Sequence, residues 1–257
     1  MRLEQHVEFI RELTRLSGDV IRPYYANRTV GHELKADESP VTVADRRAEE
    51  VMRRRILEQF PTHGVVGEEL GSVNAEAEFV WVLDPIDGTR SFITAVPLFT
   101  TLIGLLHHGR PVLGCIHQPI LAQTLIGDRQ TAELNGEPVR VRSMATLEQA
   151  TLLTTDSTFP GRYQPGTGFA QLAEKARLFR TFGDGYGYLL VASGWADIMV
   201  DPILNPWDLL PLIPVIEGAG GKITDWQGRP ADQPGVNSCV ASCPELHGEL
   251  IARLNAC

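Results

Sequence analysis

Positive charge is in short supply: 23 Lys and Arg residues face 32 Asp and Glu, for a formal net charge of −9. Such a balance argues against nucleic acid or an anionic membrane as the main partner. Cysteine is scarce as well. Cys239 and Cys243 have no His/Cys partner pair at zinc-site spacing. With Cys115 and Cys257 they read as reduced thiols of a cytoplasmic protein. Long apolar runs are missing. Leu209-Leu210-Pro211-Leu212-Ile213-Pro214 is short and broken by proline, and nothing of that length spans a bilayer. The opening Met1-Arg2-Leu3-Glu4-Gln5-His6 has neither a basic leader nor an apolar stretch, so no signal peptide is expected. Repeats and low-complexity segments are absent from the sequence.

What is present suffices for a sizeable core, since 43% of the 257 residues are hydrophobic. One large domain or two small ones would fit. Val7, Ile10, Leu13, Thr14, Ser17 and Ile21 recur at helical spacing, which predicts a helix over 4–26. Ala44, Ala48, Val51, Met52 and Ile56 predict another over 42–59, stopped by Pro61. From residue 79 the texture turns to strands. Phe79-Val80-Trp81-Val82-Leu83 reads as a strand buried on both faces. Residues 100–106 and 111–118 read as a hairpin, and 122–127 continue the sheet. Asn135-Gly136 marks a hairpin between Ala132 and Val141. Beyond residue 143 strands (151–155, 198–200, 221–224) alternate with helices (167–177, 185–193, 208–217). The expectation is an α/β protein with an α+β N-terminal domain over 1–142 and a C-terminal α/β domain over 143–257.

Chemistry concentrates in acidic residues. A buried strand delivers Asp84 at its end, Pro85 stiffens the chain, and Asp87-Gly88-Thr89 follows in a tight turn. Two carboxylates fixed in this way can hold hard cations such as Mg²⁺, and a helix beginning near Gly88 would offer free N–H groups to a phosphate. Asp87 reads equally as a helix cap. Glu68-Glu69 leaves the short apolar segment Val65-Val66; adjacent acids repel unless solvated or metal-bound. Asp208, in Asn205-Pro206-Trp207-Asp208, opens a helix that Gly218-Ala219-Gly220-Gly221 would end, and capping alone accounts for it. The pair His107-His108 sits in a hairpin turn and reads as surface rather than as ligands.

Taken together, Glu68-Glu69, Asp84-Pro85-Ile86-Asp87-Gly88-Thr89 and Trp207-Asp208 with the following glycines resemble the motif set of the inositol-monophosphatase superfamily. Order and spacing agree from about Lys35 to Thr224. The resemblance implies a layered α-β-α-β-α sandwich, usually dimeric. It implies a Mg²⁺-dependent phosphomonoesterase with two or three ions per site, acting on a small-molecule phosphate ester. Glu68, Asp84, Asp87, Asp208 and the Ile86 carbonyl match the metal ligands. Thr89 matches the residue that orients the attacking water, Asp45 its acidic partner, and Lys35 a basic residue beside the site. Glu68 also counts among the catalytic group, and Gly88 and Thr89 match the phosphate-holding turn. Such an enzyme needs mainly acidic ligands, which suits the net charge.

Within the superfamily, Asp87-Gly88-Thr89-Arg90-Ser91-Phe92-Ile93, Pro97-Leu98-Phe99, Gln118-Pro119 and Gly183-Asp184-Gly185-Tyr186-Gly187-Tyr188 look like the histidinol-phosphatase branch. Arg90-Ser91 stands where inositol-specific members carry Thr-Asn. Ala95 and Thr100 depart from that branch, where glycine is usual. Histidinol phosphate carries an ammonium and an imidazole, so its pocket calls for carboxylates and an aromatic face. Asp184 and Asp201 match substrate-side positions, Tyr186 and Trp207 lie close to them in sequence, and Arg90 and Tyr186 are further candidate substrate contacts. Asp184 reads equally as a turn residue, and Tyr186 and Trp207 as core. Inositol phosphate, a sugar phosphate or a nucleotide-derived phosphate is the competing substrate. A catalytically dead relative that only binds is the reading from another class, and the intact set of acids argues against it.

Overall fold

The computed structural model describes residues 3–27, 32–34, 40–144, 146–164 and 166–256. Helix α1 (Glu4–Ile21) is shorter than its periodicity suggests, because Pro23 cannot donate to the helical ladder and the chain tightens into a 3₁₀ turn over Arg22–Tyr24. An antiparallel pair, β1 (His32–Leu34) and β2 (Pro40–Thr42), leads into α2 (Val43–Gln59). Then follow β3 (Gly64–Gly67), β4 (Gly71–Val73), β5 (Phe79–Asp87) and the short α3 (Thr89–Ile93). A meander continues with β6 (Thr100–His107), β7 (Arg110–Gln118), β8 (Gln123–Gly127), β9 (Ala132–Leu134) and β10 (Glu137–Pro138). The remainder comprises β11 (Thr151–Leu153), α4 (Phe159–Tyr163), α5 (Gly168–Lys175), β12 (Leu178–Arg180) and α6 (Asp184–Ala192). It ends with β13 (Ile198–Asp201), α7 (Pro206–Gly218), β14 (Lys222–Thr224), β15 (Cys239–Ser242) and α8 (Pro244–Leu254). Among the described residues no helix is long and apolar enough to cross a membrane.

Two larger sheets form, in the orders β10-β9-β8-β7-β6-β5-β3-β4 and β12-β11-β13-β15-β14. Side-chain alternation assigns their faces. Trp81 and Leu83 of β5 pack with Phe9, Ile10 and Leu13 of α1 and Met52 and Ile56 of α2. On the other face of β5, Val80 and Val82 pack with Trp207 and Leu210 of α7. The second sheet turns Leu153, Met199 and Ala241 toward α6 and α7, and Leu152, Ile198 and Val240 toward α5 and α8. The layers are therefore α1/α2, large sheet, α6/α7, small sheet, α5/α8: the α-β-α-β-α sandwich. The continuous apolar run of β5 follows from burial on both faces.

Four elements at the C-terminal side, α4, β12, β15 and α8, lie outside those expected from the sequence, although α8 carries a readable helical period in Leu246, Leu250 and Leu254. The Asn135-Gly136 turn is present, with φ of +53° and +87°, but β10 ends at Pro138, and the Val141 N–H bonds Ala219 O at 3.0 Å rather than extending a hairpin. The helix expected over 208–217 begins two residues earlier, so Asp208 stands in its first turn rather than at its cap.

Helix α7 lies unusually close to the large sheet. Gly104, Gly114 and Gly127 face one another across β6, β7 and β8 in register. They make a side-chain-free row beneath the helix. A Cβ on Gly114 would lie 1.9 Å from the Pro211 carbonyl oxygen, and one on Gly127 would lie 2.6 Å from that of Pro214. Gly114→Ala is expected to destabilise by about 3 kcal/mol or more, as overpacking against a backbone that cannot step aside. Gly104→Ala, whose Cβ would come no nearer than 3.3 Å, to Pro211 Cγ, should cost less. Gly248→Ala, in open space on α8, should be neutral or slightly stabilising. Thermal melts of the three variants check this ranking.

Candidate active site

The end of β5 departs from regular geometry. Asp84 pairs with Leu102 of β6 and Asp87 with Thr100, so three steps on one strand oppose two on the other. This bulge changes which side chains share a face. In a regular strand Asp84 and Ile86 would point the same way and Asp87 the opposite way. Here Ile86 instead joins Ile21, Ala44, Ala48, Phe92 and Phe99 on the α1/α2 side. Asp84 and Asp87 then turn together toward Asp208 of α7, and oxygens of the three carboxylates lie within 4.8 Å of one another. Local bonds lock the turn. Ile86 N–H donates to Asp84 Oδ1 at 3.1 Å, and Thr101 Oγ1 donates to the Pro85 carbonyl at 2.8 Å. Thr89 Oγ1 donates to the Ile86 carbonyl at 3.0 Å. Gly88 occupies the left-handed region at φ +87° and caps α3.

The other acids arrive from separate elements. Asp208 stands in the first turn of α7, where its Oδ2 accepts from Asn205 N–H at 2.8 Å. Glu68 leaves β3, its N–H bonded to Leu83 O at 3.2 Å, and its charge acts on Asp84, Asp87 and Asp208. Asp87 is steadied by Thr100 Oγ1 at 3.3 Å and by the Gly185 N–H at the start of α6.

Glu49, which the sequence reading passed over, fixes the Glu68-Glu69 turn. Fully buried on α2, it accepts from Glu69 N–H at 2.8 Å and Leu70 N–H at 3.1 Å. Arg53 Nη2 reaches both Glu49 Oε1 at 2.8 Å and the Gly71 carbonyl at 2.5 Å. Gly67 gives it room, since a Cβ there would lie 2.0 Å from Glu49 Oε1. The available signal was a Glu–Arg pair one turn apart, itself one turn after Asp45, on the face that carries Ala48, Met52 and Ile56.

These charges do not suit an empty site. Burial first, then the charges of Glu68, Asp87 and Asp208, push Asp84 well above the carboxylate range. Burial with Asp184 and Asp208 does the same to Asp87. Asp208 is pushed up to about 6 by burial, with Glu68 adding to the shift. The neighbouring charges that move all three are carboxylates. An all-oxygen set under such mutual repulsion fits a hard divalent cation, which would relieve it.

A cleft of about 460 Å³ opens beside the cluster, lined by Gly88, Thr89, Arg90, Asp184 and Asp208 at one end and by Asp156, Phe159, Ile203 and Leu204 among others. Asp184 adopts φ +52°, and its Oδ2 lies 2.7 Å from where a Gly88 Cβ would be. Burial, with the charges of Asp201 and Asp208, pushes it up to about 7. Arg90 lies over the Phe159 ring at 5.7 Å. Asp201 does not line the cleft. It is buried beneath, accepting from Thr155 N–H at 2.9 Å and Tyr188 OH at 3.0 Å. Tyr186 also lies away from the cleft, its hydroxyl bonded to Gln123 at 3.2 Å, and Trp207 packs in the core. Asp45 caps α2, its Oδ2 taking Thr42 N–H at 2.9 Å and Thr42 Oγ1 at 2.5 Å. Ala95 stands at φ +59°, a left-handed position that favours glycine. Lys35 lies outside the described residues.

Hard oxygen donors buried beside a polar cleft are the set that cation-assisted phosphoryl transfer needs, and the fold and its relatives give the family. The profile of the inositol monophosphatase family matches residues 2–257, and the chain belongs to this family. It is 44% identical over 220 residues to the Arabidopsis thaliana bifunctional phosphatase IMPL2, chloroplastic, covering 84% of this chain but only 63% of the plant protein's length. It is 39% identical over 219 residues to the histidinol-phosphatase of Chlorobaculum parvum, covering 85% of each. Among solved structures, an inositol monophosphatase from Zymomonas mobilis superposes with a TM-score of 0.89 at 36% identity over 100% of both chains.

Stripping divalent cations with EDTA is expected to lower the melting temperature and Mg²⁺ to restore it. The gain is about 2.7 kcal/mol at a hundredfold excess over Kd. Asp84→Asn removes one repelling charge, so it should melt no lower than the parent without cation and respond less to Mg²⁺. Glu49→Gln, which sets an amide donor against the Glu69 and Leu70 N–H groups, should weaken the Mg²⁺ response although it touches no proposed ligand. Melting curves with and without Mg²⁺ measure all three.

Proposed function

We propose that the chain hydrolyses histidinol phosphate to histidinol and inorganic phosphate, as in histidine biosynthesis, with two or three Mg²⁺ ions at the carboxylate cluster. The observation that carries the substrate assignment is Asp184, a carboxylate on the wall of the cleft within reach of the Gly88 turn. The likeness to histidinol-phosphatase supports it.

Glu68, Asp84, Asp87, Asp208 and the Ile86 carbonyl would hold the cations. When bound, these neutralise the ester dianion, acidify the attacking water and stabilise the leaving alkoxide. The Gly88-Thr89 turn receives the phosphate, and the Thr89 hydroxyl, anchored on the Ile86 carbonyl, orients the water. Asp45 serves as its acidic partner. Burial pushes its carboxyl up to about 7, a value at which a group accepts a proton near neutral pH and returns it. The packing of α3 against β2 keeps the two segments together. Asp184 pairs with the substrate ammonium, and the apolar wall of Phe159, Ile203 and Leu204 receives the imidazole. Inositol phosphate is the second reading, favoured by the Zymomonas mobilis structure; Asp156 and Asn205 on the cleft wall could meet its ring hydroxyls, but it carries no cation for Asp184 to pair with.

Phosphate release with Mg²⁺ is expected to show a higher kcat/KM for histidinol phosphate than for inositol phosphate. Asp184→Asn should lower kcat/KM for histidinol phosphate roughly tenfold to a hundredfold, the equivalent of one charge-assisted hydrogen bond, and spare inositol phosphate, which has no ammonium group. Asp201→Asn, acting from beneath, should lower both equally. Thr89→Ala should reduce kcat strongly on either substrate. A parent enzyme that prefers inositol phosphate would overturn the substrate assignment.

A further inference from the structure

The hairpin between β6 and β7 assembles a second set of metal-binding side chains, at the end of β5 opposite to Asp84. Glu78 immediately precedes β5, and Phe79 pairs with His107 in the β5–β6 register. His108 N–H bonds the Glu78 carbonyl at 2.8 Å, so the two segments are pinned backbone to backbone. Successive residues of a regular strand point to opposite faces. His108 breaks that rule by adopting φ +50° in the turn, and its ring comes alongside that of His107 with centroids 4.3 Å apart. His107 is held from the other side by stacking on Phe79 at 4.6 Å.

Both imidazoles consequently face one carboxylate. His107 Nε2 lies 3.2 Å and His108 Nε2 4.0 Å from Glu78 Oε1, and one donor atom from each of the three residues falls within 4.8 Å of the others. Donors around a tetrahedral zinc ion stand about 3.3 Å apart, as bonds of about 2.0–2.1 Å require. The first distance already meets this, and rotation of the exposed His108 and Glu78 side chains supplies the rest. Glu78 and His108 are 62% and 71% exposed, so an ion can enter from solvent.

We propose that Glu78, His107 and His108 form a second cation site, selective for a borderline transition ion of the zinc class, which clasps the β6–β7 turn to the start of β5. Two imidazoles and one carboxylate favour such ions over Mg²⁺, whereas the all-oxygen cluster some 20 Å along the strand, about six residues at about 3.3 Å each, has the opposite preference. This site is independent of the phosphatase reading, because it shares no residue with the cleft.

The test uses the full chain, stripped with EDTA and held in excess Mg²⁺ to occupy the oxygen cluster, with Zn²⁺ titrated by calorimetry and melting temperature recorded alongside. One Zn²⁺ is expected to bind and to raise the melting temperature. His107→Ala and His108→Ala are each expected to weaken binding at least about tenfold, since loss of a mere supporting partner already costs that much, while phosphatase activity stays at the parent level. His108→Ala, at an exposed turn, keeps the test valid should loss of the His107–Phe79 stack loosen the sheet. Absence of Zn²⁺ binding by the parent, or equal binding by the parent and both histidine variants, would overturn the proposal.

Discussion

Carboxylates that repel one another have to be brought to one place and kept there, and much of the chain supplies the means. The bulge in β5 turns Asp84 and Asp87 to one side. The glycine row lets the backbone of α7 settle directly on β6, β7 and β8, which brings its first turn, with Asp208, to the same point. A buried glutamate on α2 holds the turn that carries Glu68. Each device lies on a different element, so the repulsion is borne by the packing of three layers rather than by any one loop.

Several acids near the cluster and the cleft also hold the fold. Asp208 holds the Asn205 N–H of its own helix with one oxygen while lying against Asp84 and Asp87. Asp45 is a helix-capping residue whose carboxyl is drawn up by burial. Asp201 ties β13 to Thr155 at the cleft wall and accepts from Tyr188 below it. Capping and catalysis are thus poor alternatives for such residues: a carboxylate bonded to backbone N–H groups is also one whose position is fixed, which is what a binding site requires.

The sequence exposed the parts of the fold that rest on strong local patterns. The helical periods of α1 and α2, the doubly buried run of β5 and the order of the acidic motifs were all legible, and the layered sandwich was implied by the family resemblance those motifs carry. Most of what escaped depended on contacts distant in sequence. The short strand β15 gains its place from pairing with β13, while the period of Leu246, Leu250 and Leu254 in α8 was open to reading and was missed. Glu49 passes in the sequence for one more solvated acid unless its place on the apolar face of α2 is noticed, and the approach of Gly67 and the Glu69 and Leu70 N–H groups shows what it holds. The histidine pair read as surface because it lies in a hairpin turn, and a single left-handed residue in that turn brings the two rings together. Tyr186 and Trp207, named for their nearness in sequence, are half-buried against the core clusters rather than set into the cleft wall.

The bulge in β5 also brings to the cleft edge an oxygen that belongs to no side chain. The carbonyl of Ile86 meets the Thr89 hydroxyl there, while the Ile86 side chain points into the hydrocarbon of the outer layer. An amino-acid replacement at this position would alter the packing of α2 yet leave the oxygen in place. A scan that removes side chains one at a time is blind to such a group, and so is any comparison of residue identities. Only the path of the chain encodes it. The quantity to compare among relatives at this point is therefore the number of residues between the two aspartates, and not which residues they are.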